Sequence, residues 1–178
     1  MATGRKFCSF TRGGRSGLGI DSIPEDGFCI SVFLIITETG NARNVLLGRI
    51  NPDGPWDHIG ALDRDRISAH SDGWMIPSCH LMYGEAPGSC AGRIAKEQLD
   101  IEELELSGPA VHSEVYAPRR FPGRKAHWDL EFLYRGSVDR GFAGGVPENW
   151  KELRFIDLNA MVPGNMVRSH EDILARLK

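Results

Sequence analysis

The chain has 178 residues, of which 41% are hydrophobic and 25% charged, with a formal net charge of −3 at pH 7. This length can bury a substantial core in one domain, and the composition is that of an ordinary globular protein rather than a disordered or fibrous one. The mildly acidic balance gives no global attraction to nucleic acid, and no apolar run reaches the ~18 residues needed to cross a membrane.

Residues 1–22 are rich in Gly, Ser and Arg and carry no periodic apolar pattern, so they read as a flexible extension ahead of a single domain at 23–178. Arg5, Lys6, Arg12 and Arg15 are not followed by an apolar stretch of secretory type, and the expected location is the cytoplasm. Cys8, Cys29, Cys79 and Cys90 form no CxxC pair and share no spacing. Neither a zinc site nor a disulfide framework is expected, and the four read as reduced thiols.

Order is expected from Phe28. Residues 28–36 form a nearly continuous β-branched and aromatic run, which suits a central strand covered on both faces. Gly40-Asn41 marks a turn, and Val45-Leu46-Leu47 reads as the returning strand. Residues 51–72 are loop-like, with a short helical turn around 61–67. Trp74-Met75-Ile76 is a short strand, 77–85 a loop, and 87–99 an amphipathic helix with Pro87 in its first turn.

Residues 104–116 and 126–134 read as strands joined by a basic loop. A further strand spans 150–158, and a C-terminal helix spans 169–177, with Ser169 and Asp172 spaced as a capping box. Strands with one early and one terminal helix describe an α+β chain, layered as an α/β/α sandwich.

Residues 77–101 hold the most specific spacing in the chain. Cys79 is followed after five residues by Glu85 and after seven more by Arg93; Ile94, Glu97, Gln98, Asp100 and Ile101 complete the set. Trp74-Met75-Ile76-Pro77 leads in, and Gly84-Glu85-Ala86-Pro87 enters the helix. The set resembles the signature of the Nudix (MutT-like) superfamily: Gly, five residues, Glu, seven residues, then Arg-Glu-aliphatic-any-Glu-Glu-any-Gly-aliphatic. Glu85, Arg93, Glu97 and Ile101 match it. Cys79 stands where the first Gly is expected, while Ile94, Gln98 and Asp100 replace a Glu, a Glu and the closing Gly.

The resemblance extends over residues 28–177 by order of elements, with Trp150 to Leu158 similar to the late strand. It implies a Nudix-type α/β/α sandwich with a central mixed β-sheet, Mg²⁺ or Mn²⁺ as cofactor, and hydrolysis of nucleoside diphosphate-linked substrates. Positions 94, 97 and 98 share one face of an α-helix, and three carboxylates there would hold hard divalent cations that bridge a pyrophosphate. Here only Glu97 is charged, and Gln98 offers a neutral carbonyl oxygen. Glu85 and Arg93 form a separate layer: they can pair and fix the loop to the helix without touching metal. Glu97 can equally form an ion pair with Arg93 four residues earlier.

Replacement ligands are candidates on the strand after the basic loop. His127, Asp129 and Glu131 alternate opposite Trp128, Leu130 and Phe132, so they either face the helix as metal ligands or form a solvated strand face. His80 and His112 are further candidate ligands or, on the plainer reading, surface or hydrogen-bonded histidines, and Glu102, Glu103 and Glu105 read as solvated acids. Arg119, Arg120, Phe121 and Arg124, with His127 just beyond, have the composition to grip a phosphate and stack a base, or are an ordinary charged connection.

Two functions follow. One is a Nudix-like hydrolase with a weakened metal site of Glu97, Gln98, Asp129 and Glu131, in which Glu97 and Glu85 are the catalytic acids. The other is a non-catalytic module that binds a nucleotide, RNA or a protein partner through the same cleft. A small nucleotide-like ligand is the expected partner, ahead of nucleic acid. An apolar edge at Phe142 leaves a homodimer open.

Overall fold

The computed structural model describes residues 28–56, 64–82, 84–116, 127–141, 145–168 and 170–177. Its strands are β1 (Phe28–Glu38), β2 (Asn41–Ile50), β3 (Trp74–Met75), β4 (Ser78–His80), β5 (Ser107–Tyr116), β6 (His127–Val138) and β7 (Trp150–Asp157). Its helices are α1 (Arg64–His70), α2 (Pro87–Arg93) and α3 (His170–Ala175). The strands form one mixed sheet in the order β3-β2-β1-β6-β5, with β4 pairing β1 and β7 pairing β2. β1 and β6 run parallel in unbroken register from Phe28↔Trp128 to Glu38↔Val138, and the other pairs are antiparallel.

The apolar run of β1 explains the layering. Successive side chains of a strand point to opposite faces, so a run without polar interruption needs cover on both. Val32, Leu34 and Ile36 pack with Cys90, Ala91, Ile94 and Ala95 on the α2 side. Phe33 and Ile35 pack with Ile173 and Leu174 of α3 on the other. The expected α/β/α sandwich is the observed one. Each fully buried aliphatic side chain contributes roughly 1.5–3 kcal/mol, so these two layers dominate the stabilisation.

A third cluster, Ile50, Trp56, Ile67, Met75, Trp150 and Val167, includes residues of β2, β3, β7 and α1. The Trp56 and Trp150 rings meet edge to face at 5.0 Å. The Trp150 ring also lies against Gly48, where a Cβ would fall 2.2 Å from it, so glycine is required there.

Several elements differ from their expected bounds. β2 and β6 are longer than their apolar runs, because pairing with β7 and β1 carries the ladder past them. β4 lies within the expected loop 77–85 and is held to β1 through Ser31↔His80, Val32↔Cys79 and Phe33↔Ser78. α1 overlaps the expected helical turn at 61–67 and runs on to His70, residues 61–63 lying outside the described residues, as do Ser169, the expected cap of α3, and the extension at 1–22. The helix at 87–99 changes character midway: α2 ends at Arg93, and Ile94–Gln98 form a wider π-helical turn.

Candidate functional site

The loop and helix at 78–101 are built around Arg93. Gly84, with φ 80°, turns the chain so that Glu85 folds back beneath the helix. Glu85 Oε1 accepts from Arg93 Nε at 2.8 Å, and Oε2 accepts from Arg93 Nη2 at 2.9 Å and from the Met82 amide at 2.9 Å. This two-pronged, largely buried pair holds the Glu85 carboxyl down at about 2, chiefly through the Arg93 hydrogen bonds, and pushes Arg93 upward. Arg93 also donates to the Cys79 and Cys90 sulfurs at 3.3 and 3.4 Å and to the His80 carbonyl at 3.4 Å. Every guanidinium nitrogen is therefore engaged, and the loop cannot leave the helix without breaking several bonds.

The far end of the signature is also formed. Asp100 replaces the expected Gly yet keeps the left-handed backbone, with φ 57°. Asp tolerates that conformation better than most residues, and the Ile101 amide thereby reaches the Ala95 carbonyl at 2.9 Å.

The three metal-ligand positions do not converge. Ile94 and Gln98 are fully buried, whereas the Glu97 side chain is 42% exposed. The π-helical turn accounts for the split: in a wider turn the four-residue step from 94 to 98 returns closest to its starting direction, while the three-residue step to 97 falls short. Glu97 instead lies 3.8 Å from Arg93. The Gln98 Nε2 donates to the Ser78 carbonyl at 2.9 Å, and the Gln98 main-chain carbonyl accepts from Trp150 Nε1 at 2.6 Å. Gln98 Oε1 has no hydrogen-bond partner among the described residues, so one buried neutral oxygen remains, and Ile94 four residues earlier offers no ligand atom.

Asp129 and Glu131 do not rebuild the site. They share the β6 face of Leu133, which packs in the α3 layer, so the sheet separates them from α2. The expected common face is real, but it is the opposite one, and both acids are buried rather than solvated, at 9% and 4% exposure. Glu131 lies 3.4 Å from Arg176, which also pairs with Glu114. Burial, then the nearby Glu114 and Asp129 carboxylates, push the Glu131 carboxyl up to about 7 despite Arg176. Among the described residues no three His, Cys, Asp or Glu side chains are grouped closely enough to hold a metal ion. The helix donors therefore do not fit the divalent ion that this fold implies.

Arg119, Arg120, Phe121, Arg124 and Phe142 lie outside the described residues; His127 begins β6, but its side chain is outside them too. His80 contributes its carbonyl, not its ring, to Arg93. Glu102, Glu103 and Glu105 are exposed as expected, Glu102 pairing with Lys96 at 2.6 Å. Two participants were not visible beforehand. Trp150 closes over Gln98, for which no local pattern gives a signal. Cys90 joins the Arg93 cluster, and its three-residue spacing from Arg93 on one helix is a signal that sequence does carry.

No family model matches the sequence, and no curated protein is similar to it in sequence. Solved structures are similar in fold. The MutT protein from Methanosarcina mazei Go1 aligns with a TM-score of 0.56 at 14% identity, over 86% of this chain and 94% of that one. The Nudix domain of Shewanella oneidensis NrtR, solved with ADP ribose, aligns at 0.55 and 10% identity, over 83% and 84%. The C. elegans Ap4A hydrolase aligns at 0.51 and 15% identity, over 84% and 93%. The protein has the Nudix fold. Among the described residues no helix is long and apolar enough to cross a membrane.

Proposed function

We propose that this protein is a Nudix-fold binding module for a nucleotide-like ligand carrying a diphosphate, in which the helix no longer performs metal-dependent hydrolysis. The observation that carries this reading is the burial of Ile94 and Gln98, with Gln98 committed to Ser78 and Trp150. Opening that face to a metal would expose Ile94 and break the side-chain bond from Gln98 to Ser78. The Glu85–Arg93 clamp, by contrast, is intact and keeps the loop shaped. A Nudix domain of the same fold binds ADP ribose, which makes a nucleoside diphosphate sugar the class to test first. Arg119, Arg120, Phe121, Arg124 and His127 are the proposed contacts: guanidinium groups for the diphosphate and an aromatic ring for the base.

The test pairs binding with turnover. The protein is incubated with a panel of nucleoside diphosphate derivatives, each with Mg²⁺, with Mn²⁺ or with a chelator. The expected outcome is no release of monophosphate, together with a metal-independent rise in melting temperature for at least one compound. At ~100 times Kd, a ligand stabilises by about 2.7 kcal/mol, or several degrees for a chain of this size. Metal-dependent turnover lost in Glu97→Gln would overturn the reading in favour of an altered hydrolase.

A further inference from the structure

Cys79 and Cys90 come from different elements, β4 and α2, and meet at one guanidinium. Arg93 Nη1 donates to Cys79 Sγ at 3.3 Å and Nη2 donates to Cys90 Sγ at 3.4 Å. The Cys90 thiol also lies 3.9 Å from the His80 carbonyl, and the two cysteine side chains hydrogen-bond to one another. An arginine can only donate, so both sulfurs act as acceptors toward it, and its positive charge favours a thiolate. Both belong to the apolar cluster on the α2 side, and within it they share a charged group that Glu85 holds in place. The sulfurs differ in access, since Cys79 retains 6% exposure and Cys90 none.

We propose that Cys79 and Cys90 are a peroxide-responsive dithiol, with Cys79 the attacking sulfur and Cys90 the resolving one. The Cys79 thiol is held down at about 6, first by the hydrogen bond from Cys90 and then by Arg93 acting against burial, while Cys90 is pushed upward and stays protonated. The Cys79 thiolate attacks one oxygen of a hydroperoxide. The O–O bond breaks, the leaving oxygen departs as hydroxide or alkoxide and takes up a proton, and Cys79 becomes a sulfenic acid. The Cys90 sulfur, giving up its proton, then attacks the Cys79 sulfur; water leaves and the disulfide forms. Two thiols are oxidised and one peroxide is reduced. The bond would tie α2 to β4 across the loop at 80–89 and withdraw both sulfurs from Arg93, leaving Glu85 as its main partner.

The test treats the full chain with graded hydrogen peroxide, blocks remaining thiols by alkylation and maps the cysteines by peptide mass spectrometry, with Cys29 as internal reference. In the wild type, the peptides carrying Cys79 and Cys90 should become linked at doses that leave Cys29 alkylated. In Cys90→Ser, Cys79 should accumulate as a sulfenic acid captured by dimedone; in Cys79→Ser, Cys90 should stay reduced. Alkylation of Cys79 as a function of pH should show a midpoint below that of an ordinary thiol. The proposal is overturned if Cys79 and Cys90 oxidise no faster than Cys29 in the wild type, or if the linkage forms to Cys8 or Cys29 instead. Because the wild-type map alone decides this, poor folding of a serine variant leaves the outcome intact.

Discussion

On the loop side of the helix at 87–98, Arg93 is gripped by Glu85, two sulfurs and a carbonyl; on the sheet side, Ile94 and Gln98 are sealed into the core. Adjacent residues thus keep the scaffold and lose the ligands. The difference teaches that the two layers of this signature are physically separable. The clamp needs a carboxylate and a guanidinium at fixed spacing, whereas a metal site needs carboxylates that converge on a space open to water and phosphate. Filling that space with apolar contacts costs the clamp nothing.

The largest expected effect comes from restoring the acids. Ile94→Glu with Gln98→Glu would place two carboxylates in the core with no cation paired to either, and the Gln98 change would also remove the donor to Ser78. Each buried charge costs several kcal/mol, so urea unfolding should report a loss above ~4 kcal/mol and no gain of pyrophosphate hydrolysis. A folded double variant that hydrolyses a nucleoside diphosphate sugar with Mg²⁺ would break the separation.

Glu85→Ala tests the other layer and should cost about 3 kcal/mol, since it strands a largely buried guanidinium. The pH dependence has a definite sign. The Glu85 carboxyl is held at about 2 in the fold against an ordinary 4.5. Its contribution is complete above ~4.5 and is lost as pH falls toward 2. Glu85→Gln should therefore lose less stability than the wild type over that acid range in thermal melts.

Glu131 on the opposite layer should behave in reverse. Its carboxyl is raised from 4.5 to about 7, so the fold favours the protonated form and stability falls as pH rises through that window. Glu131→Gln mimics the protonated group, and its stability relative to the wild type should improve between pH 4.5 and 7, by on the order of 1–2 kcal/mol. A flat difference across that range would mean that Arg176 neutralises the carboxylate fully.

The clamp was legible in sequence because it depends on spacing: Glu85 and Arg93 fall where the signature requires them, and Pro87 opens the helix as its fixed φ favours. The central position of β1 was legible as well, since an uninterrupted apolar run has no solvent face. β4 was not, because three residues carry no period, and only the neighbouring β1 edge makes them a strand. Alternation along β6 placed Asp129 and Glu131 together but could not say which layer they meet, as that depends on how the whole sheet is covered. The π-helical turn that sends Glu97 away from Ile94 is likewise set by packing, whereas an ideal α-helix keeps that three-residue step on one face.

The smallest expected effect carries the sharpest functional consequence. Glu97 lies 3.8 Å from Arg93 with 42% of its side chain exposed, and Arg93 is already engaged by Glu85, two sulfurs and the His80 carbonyl. A long i,i+4 pair with its carboxylate in water contributes about 0.3–0.5 kcal/mol, so Glu97→Gln should barely move the melting curve. If the ligand face is closed, the same substitution should also leave nucleotide affinity unchanged with and without Mg²⁺, because among the described residues Glu97 belongs to no group of acids able to share an ion. A stable Glu97→Gln protein that loses Mg²⁺-dependent binding or turnover would mean that Glu97 works with groups outside the helix, and that the metal layer has moved rather than been lost.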